Sequence, residues 1–157
     1  LSAIPFDDEE DAVRLANAGD IAAVAGARAR WREHEADDAF VGEFERWWLE
    51  TEDRRRTWIA LGSQRIIGMV SMTVFTRMPS PGEPGKQWAY VGQVWVDPAY
   101  RRMGIARTMM TEAIAWARHA LMERIVLNPS EMSRPLYAGL GFRSAADLLR
   151  LDLDGAS

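Results

Sequence analysis

Between Tyr100 and Thr108 the chain reads Arg101-Arg102-Met103-Gly104-Ile105-Ala106-Arg107, three guanidinium groups around a glycine and an alanine. It follows an apolar, β-rich run containing Val94, Trp95 and Val96, and precedes a segment of helical periodicity. A strand that enters a helix through such a turn leaves the first helical N–H groups without internal partners. Those donors lie at the positive end of the helix dipole and make a place for an anion. Gly104 has no side chain to hold a phosphate away from the backbone, and Ala106 has only a small one. Arg101, Arg102 and Arg107 can add charge-assisted bonds. The chemistry indicated is retention of a phosphorylated ligand. Close packing of a helix with small residues is the structural alternative, and a short glycine pattern alone does not separate the two.

Other chemistries lack their residues. There is no cysteine, so disulfides, thiolate metal sites and a cysteine nucleophile are excluded. His34 and His119 are far apart, no carboxylate cluster has ligand spacing, and no serine sits in a Gly-x-Ser-x-Gly elbow. No metal site is expected. A net charge of -4 argues against nucleic acid as partner. A locally basic spot on an acidic chain suits a small anion better than a long polyanion. No apolar run approaches the ~20 residues that span a bilayer. The acidic stretch Leu1 to Asp11 lacks the basic and apolar regions of a signal peptide. With cysteine absent, a cytoplasmic location is the expectation.

The elements that must position the turn can be read from periodicity. At 157 residues and 48% hydrophobic content, the chain is sized for one domain with its own core, spanning 1–157. Ala12 to Ala16 reads as a first strand, followed by Asn17-Ala18-Gly19-Asp20 as turn and helix cap. Ile21 to Glu35 and Ala39 to Glu50 read as helices, and Arg54-Arg55-Arg56 as a solvated connection. Thr57 to Leu61 and Arg65 to Phe75 form a hairpin about Gly62-Ser63-Gln64. The Pro- and Gly-rich segment Met78 to Gly85 is a surface loop, too short to link two separate cores. Trp88 to Val96 is a long strand and Arg107 to Ala120 an amphipathic helix. Arg124 to Leu127 is a short strand, Ser133 to Gly139 a short helix, and Leu148 to Leu153 a last alternating strand. The order predicts an α/β (α+β) fold, one mixed sheet flanked by helices.

With this frame the chain resembles the GNAT N-acetyltransferase superfamily. The family carries an Arg/Gln-x-x-Gly-x-Gly/Ala signature after its fourth strand, matched here by Arg101-x-x-Gly104-x-Ala106. It also places a Tyr before a Gly-Phe pair, matched by Leu136-Tyr137-Ala138-Gly139-Leu140-Gly141-Phe142. The motifs together span about Val91 to Phe142. The resemblance implies a sheet splayed between its fourth and fifth strands, acetyl-CoA as cosubstrate, and an amine as acceptor. Backbone groups of Val94, Trp95 and Val96 would pair with the pantetheine arm. The turn Arg101, Arg102, Met103, Gly104, Ile105, Ala106 and Arg107 would hold the pyrophosphate. Tyr137 would protonate the leaving thiolate. Many members carry Asn seven residues before this Tyr, a place taken here by Ser130. Asn128, Ser130 or Ser133 can supply that polar contact, and Arg134 is close enough in sequence to reach the cosubstrate. A homodimer is a further family-level expectation.

The acceptor side is less marked. Several members use a Glu near the fourth strand as base, where this chain has Gln93, which cannot take a proton. His34, Glu35, Glu43 and Asp97 are candidates, alongside a water chain relayed by backbone carbonyls. Trp31, Phe40, Phe44, Trp47 and Trp95 can wall an acceptor site, although aromatic side chains at helical spacing are more often core. Transfer to a primary amine of a small molecule or peptide is the leading expectation. A non-catalytic acyl-CoA-binding module is the alternative, and an ATP- or NAD-binding protein a distant third.

Overall fold

The structure is a computed structural model that describes residues 13–155; the acidic run Asp7 to Asp11 and Ala12 lie outside them. The strands are β1 (Val13–Leu15), β2 (Arg55–Gly62), β3 (Arg65–Thr76), β4 (Gln87–Val96) and β5 (Ile125–Leu127). The helices are α1 (Ile21–Trp31), α2 (Asp38–Thr51), α3 (Ile105–His119) and α4 (Arg134–Gly139). The sheet order is β1-β2-β3-β4-β5, antiparallel through β4, with β5 added parallel to β4. This is the mixed α/β sheet that the element order predicts. No helix among the described residues is long and apolar enough to cross a membrane.

Local chemistry starts the helices where they begin. Asn17 Oδ1 accepts from the Gly19 N–H and Asp20 Oδ2 from the Asn17 N–H, a reciprocal cap just ahead of α1. Asp37 Oδ1 accepts from the Phe40 N–H at 2.8 Å and caps α2. A two-residue turn, Ser63-Gln64, closes the β2–β3 hairpin with Gln64 in the left-handed region.

Strand alternation builds two apolar layers. Trp58, Ala60, Val70 and Met72 pack against Met109, Met110 and Ala113 of α3. Ile59, Met69 and Trp95 face the other way, onto Ile21, Val24 and Ala27 of α1 and Trp48 of α2. Gly68 lets α3 lie close: a Cβ there would stand 2.9 Å from the Met109 methyl and 3.1 Å from the Trp95 carbonyl oxygen. The helix that ends the basic turn is thereby seated directly on β3.

Two expectations fail. Arg54-Arg55-Arg56 is not a solvated connection, because Arg55 opens β2 and is 5% exposed. Its Nε donates to Thr51 Oγ1, Nη1 to Thr57 Oγ1 and Nη2 to the Trp48 carbonyl. Its guanidinium also lies over the rings of Trp47 and Trp48. Burial pulls its pKa down to about 10, so it remains charged at neutral pH. A charge run marks a solvated face only where no aromatic wall and acceptor set is waiting for one member. Leu148 to Leu153 is not a strand either; it has no regular structure, and Leu148, Leu149, Leu151 and Leu153 are exposed. Alternating apolar residues define a strand only when a neighbour takes their backbone bonds, and none among the described residues does.

Candidate active site

β4 carries a bulge. Ser71 of β3 pairs with Gln93 and Met72 with Val91, leaving Gly92 as the extra residue. A bulge bends its strand and disrupts the ladder. On the other side, β5 pairs only with Ala89, Tyr90 and Val91 of β4. Beyond Val91 no described strand pairs with the edge of β4 toward β5, and Val94, Trp95 and Val96 lie on that segment. The splay is therefore built by a one-residue insertion and a three-residue partner.

A cleft of about 720 Å³ fills the opening. Val94, Trp95 and Val96 line it beside Arg101, Arg102, Gly104, Ile105, Ala106 and Arg107, and Asn128, Ser130, Ser133 and Tyr137 close it. Met103 and Arg134 do not line it. Met103 is 43% exposed, and Arg134 pairs with Glu131 at 3.2 Å. At the turn, Gly104 has φ +78° and caps α3 without a side-chain bond; Arg102 has φ +65°. The Gly104 carbonyl accepts from the Thr108 N–H, so the earlier N–H groups of α3 remain available at the cleft. A Cβ on Gly104 would meet no protein atom within 4 Å. Arg101 Nε is tied to the Val96 carbonyl at 3.2 Å, joining the turn to the end of β4.

Tyr137 sits on α4, 7% exposed, with its ring edge-on to Phe142 at 5.7 Å. Burial pushes its hydroxyl pKa above the ordinary 10.0, so it holds its proton at neutral pH. The Arg107 guanidinium from α3 rests against Gly139 of α4, where a Cβ would lie 2.6 Å from Nη2. Of the polar candidates, Ser130 and Ser133 bond to each other and cap their own turn. Asn128 Nδ2 donates to the Tyr90 hydroxyl at 3.0 Å.

A second cavity of about 310 Å³ adjoins the cleft on the α1–α2 face, sharing Trp31 and Gln93 with it. Its walls are aromatic: Trp31, Phe40, Phe44, Trp47 and Trp48. Trp95 is not in that wall but stacks on Trp31, with centroids 6.3 Å apart. The polar lining is Arg28, Thr57, Ser71 and Gln93. His34, Glu35, Glu43 and Asp97 line neither cavity. Asp97 is occupied elsewhere, accepting from the Ala99 N–H and pairing with Arg65 at 3.0 Å. Sequence reasoning missed Gly92, Arg28, Trp48, Thr57 and Ser71. Gly92 had a signal, since a glycine inside a strand pattern marks a bulge. The others had none, because their convergence depends on how α1 and α2 lie over the sheet. Among the described residues, no group of His, Asp and Glu is arranged to hold a metal ion.

Comparison with known proteins now bears on this geometry. The sequence model for the acetyltransferase (GNAT) family matches residues 13–142. Glucosamine 6-phosphate N-acetyltransferase of Trypanosoma brucei brucei is 32% identical over 89 residues, 57% of this chain. The matched region covers 58% of that relative's length. A predicted acetyltransferase with acetyl-CoA, from Clostridium acetobutylicum, superimposes with a TM-score of 0.70 at 23% identity, covering 92% of this chain and 97% of its own. Ribosomal-protein-alanine N-acetyltransferase from Brucella melitensis biovar Abortus 2308 gives a TM-score of 0.68 at 20% identity, with 90% and 97% covered. At these identities the structural likeness concerns the fold. The family match extends from β1 to the Phe142 that packs on Tyr137, and the chain belongs to the acetyltransferase (GNAT) family, acyl-CoA-dependent N-acetyltransferases whose cosubstrate is acetyl-CoA.

Proposed function

We propose that this protein acetylates a primary amine of a small molecule or peptide by direct attack in a ternary complex. One observation carries the reading: the open edge of β4, the N-terminus of α3 and Tyr137 all border a single cleft. The residues fit acetyl-CoA. Val94, Trp95 and Val96 offer an unpaired strand edge to the amide groups of its pantetheine arm. The α3 N-terminus and Arg101, Arg102 and Arg107 face its phosphates, and Gly104 leaves the space beside them clear. Asn128 supports the arm better than Ser130 or Ser133, whose hydroxyls are engaged with each other.

When bound, acetyl-CoA supplies the acetyl group as a thioester. Gln93 and Trp31 stand where the two cavities meet and bring the acceptor nitrogen to the cleft. The new C–N bond forms as the C–S bond breaks, and Tyr137 delivers its phenolic proton to the departing sulfur. No carboxylate or imidazole among the described residues lines either cavity, so the proton lost by the nitrogen leaves through water.

Initial-rate kinetics with acetyl-CoA and an accepted amine test direct attack. Intersecting double-reciprocal lines are expected; parallel lines would show a covalent acetyl-enzyme and end this mechanism. A second expectation concerns pH. With no enzymatic base, kcat/KM should rise with pH and level off at the acceptor's own ammonium pKa, moving as acceptors of different basicity are compared. An inflection fixed near 6–7 for every acceptor would reveal a base on the protein. The outer edge of β5, unpaired among the described residues, and the exposed Leu148, Leu149, Leu151 and Leu153 also support self-association, with a homodimer as the simplest form.

A further inference from the structure

The adjoining 310 Å³ cavity has a composition that selects among amines. It is near the lower end of the ~300–1,000 Å³ typical of small-molecule sites. Its aromatic walls suit one apolar side chain. Its charge is one-sided: Arg28 is the only ionisable side chain in the lining. The Arg28 guanidinium lies 4.5 Å from the centroid of the Trp31 ring, and among the described residues its one side-chain hydrogen bond is a long one to Gln93 Oε1, 3.4 Å. It has no ion pair among the described residues, and burial, with the neighbouring Arg32 cation second, lowers its pKa. Arg55 adds a second positive charge against Trp47 and Trp48, with each of its three nitrogens already donating one hydrogen bond. A polyamine would meet like charges here and no carboxylate. A carboxylate would meet a half-buried guanidinium with unused donors, and such a bond is strong.

Position narrows the class further. Arg28 bonds to Gln93, and Gln93 lines both cavities, so an anion held by Arg28 stands at their junction. An amine one carbon away from that anion would face the acetyl-CoA cleft while the apolar body fills the aromatic cavity. Resting on the acyl-transfer reading above, we infer that the acceptor is an α-amino acid with an aromatic or bulky apolar side chain, its carboxylate recognised by Arg28 and its side chain by the cavity of Trp31, Phe44 and Trp47. Arg28 is then a specificity-determining residue.

The test pairs turnover with binding on the full chain. L-tryptophan and L-phenylalanine should be acetylated with kcat/KM at least about tenfold above tryptamine and phenethylamine, which lack only the carboxylate. Arg28→Gln should bring those ratios to about one, and Arg28→Lys, which keeps the charge without the planar fork, should retain part of them. In calorimetry with CoA present, indole-3-propionate should bind at least about tenfold more tightly than indole-3-ethanol, and Arg28→Gln should remove the difference. Equal rates for acids and amines, or glucosamine 6-phosphate or spermidine as the better acceptor, would overturn the inference. Carboxylate-selective binding without any acetyl transfer would leave this pocket assignment standing and defeat the reaction. Transfer to amines with no carboxylate preference would do the reverse.

Discussion

Gly104→Val is expected to weaken acetyl-CoA binding at least about 100-fold, or ~2.7 kcal/mol, while the protein stays folded. Two effects act at this position, and they are separable. At φ +78° any side chain is strained, and a β-branched one more so, at roughly 1–3 kcal/mol. For a chain of this length that lowers Tm by roughly 2–4 °C per kcal/mol. The second effect is occupancy. Nothing among the described residues lies within 4 Å of the new Cβ, so the isopropyl group projects into the cleft, where the phosphates are proposed to sit. Gly104→Ala carries the backbone strain with far less bulk and should lose much less affinity for a comparable fall in Tm. Calorimetric titration beside thermal melts measures both quantities. Affinity unchanged in the valine variant would remove this turn from the phosphate site.

Tyr137→Phe should lower kcat by roughly tenfold or more, within the range for loss of a general acid, while the Kd for acetyl-CoA changes by less than about twofold. The ring remains to pack on Phe142, and the hydroxyl has no hydrogen bond to another described residue, so Tm should hardly move. The pH dependence has a definite sign. Burial raises the folded-state pKa of Tyr137 above its ordinary 10.0. The folded state therefore keeps the proton longer than the unfolded chain, and stability from this group is complete below pH 10.0 and declines as pH rises through the folded-state pKa. In the phenylalanine variant this alkaline decline should be smaller. Equal losses in kcat and binding, or no loss in either, would withdraw the acid role from Tyr137.

Much of the frame is legible along the chain because it follows local rules. The caps at Asn17 and Asp37, the hairpin at Ser63-Gln64 and the period of α3 are each decided within a few residues. The basic turn is local as well. Helix ends leave free N–H groups whatever surrounds them, and Gly104 tolerates the left-handed conformation that the turn adopts. Expectations went astray where a neighbour distant in sequence decides the outcome. Arg55 looks solvated beside Arg54 and Arg56 until Thr51, Trp47 and Trp48 of α2 are laid over it. Leu148 to Leu153 alternates like a strand but finds no partner for its backbone among the described residues.

The same division applies to the opening feature. From residue types and spacing came the mixed sheet and the expectation of a turn that holds a phosphate, and the family resemblance added the expectation that Tyr137 protonates the leaving group. The turn rests on backbone geometry close in sequence. Only the tertiary structure decided what lies beside that turn. The Gly92 bulge and the three-residue pairing of β5 open the cleft, and the packing of α1 and α2 over the sheet gathers Arg28, Thr57, Ser71 and Gln93 among aromatic rings. The physical reason is that a pocket is formed by side chains from separate elements, whose meeting is fixed by long-range packing and leaves no spacing to read.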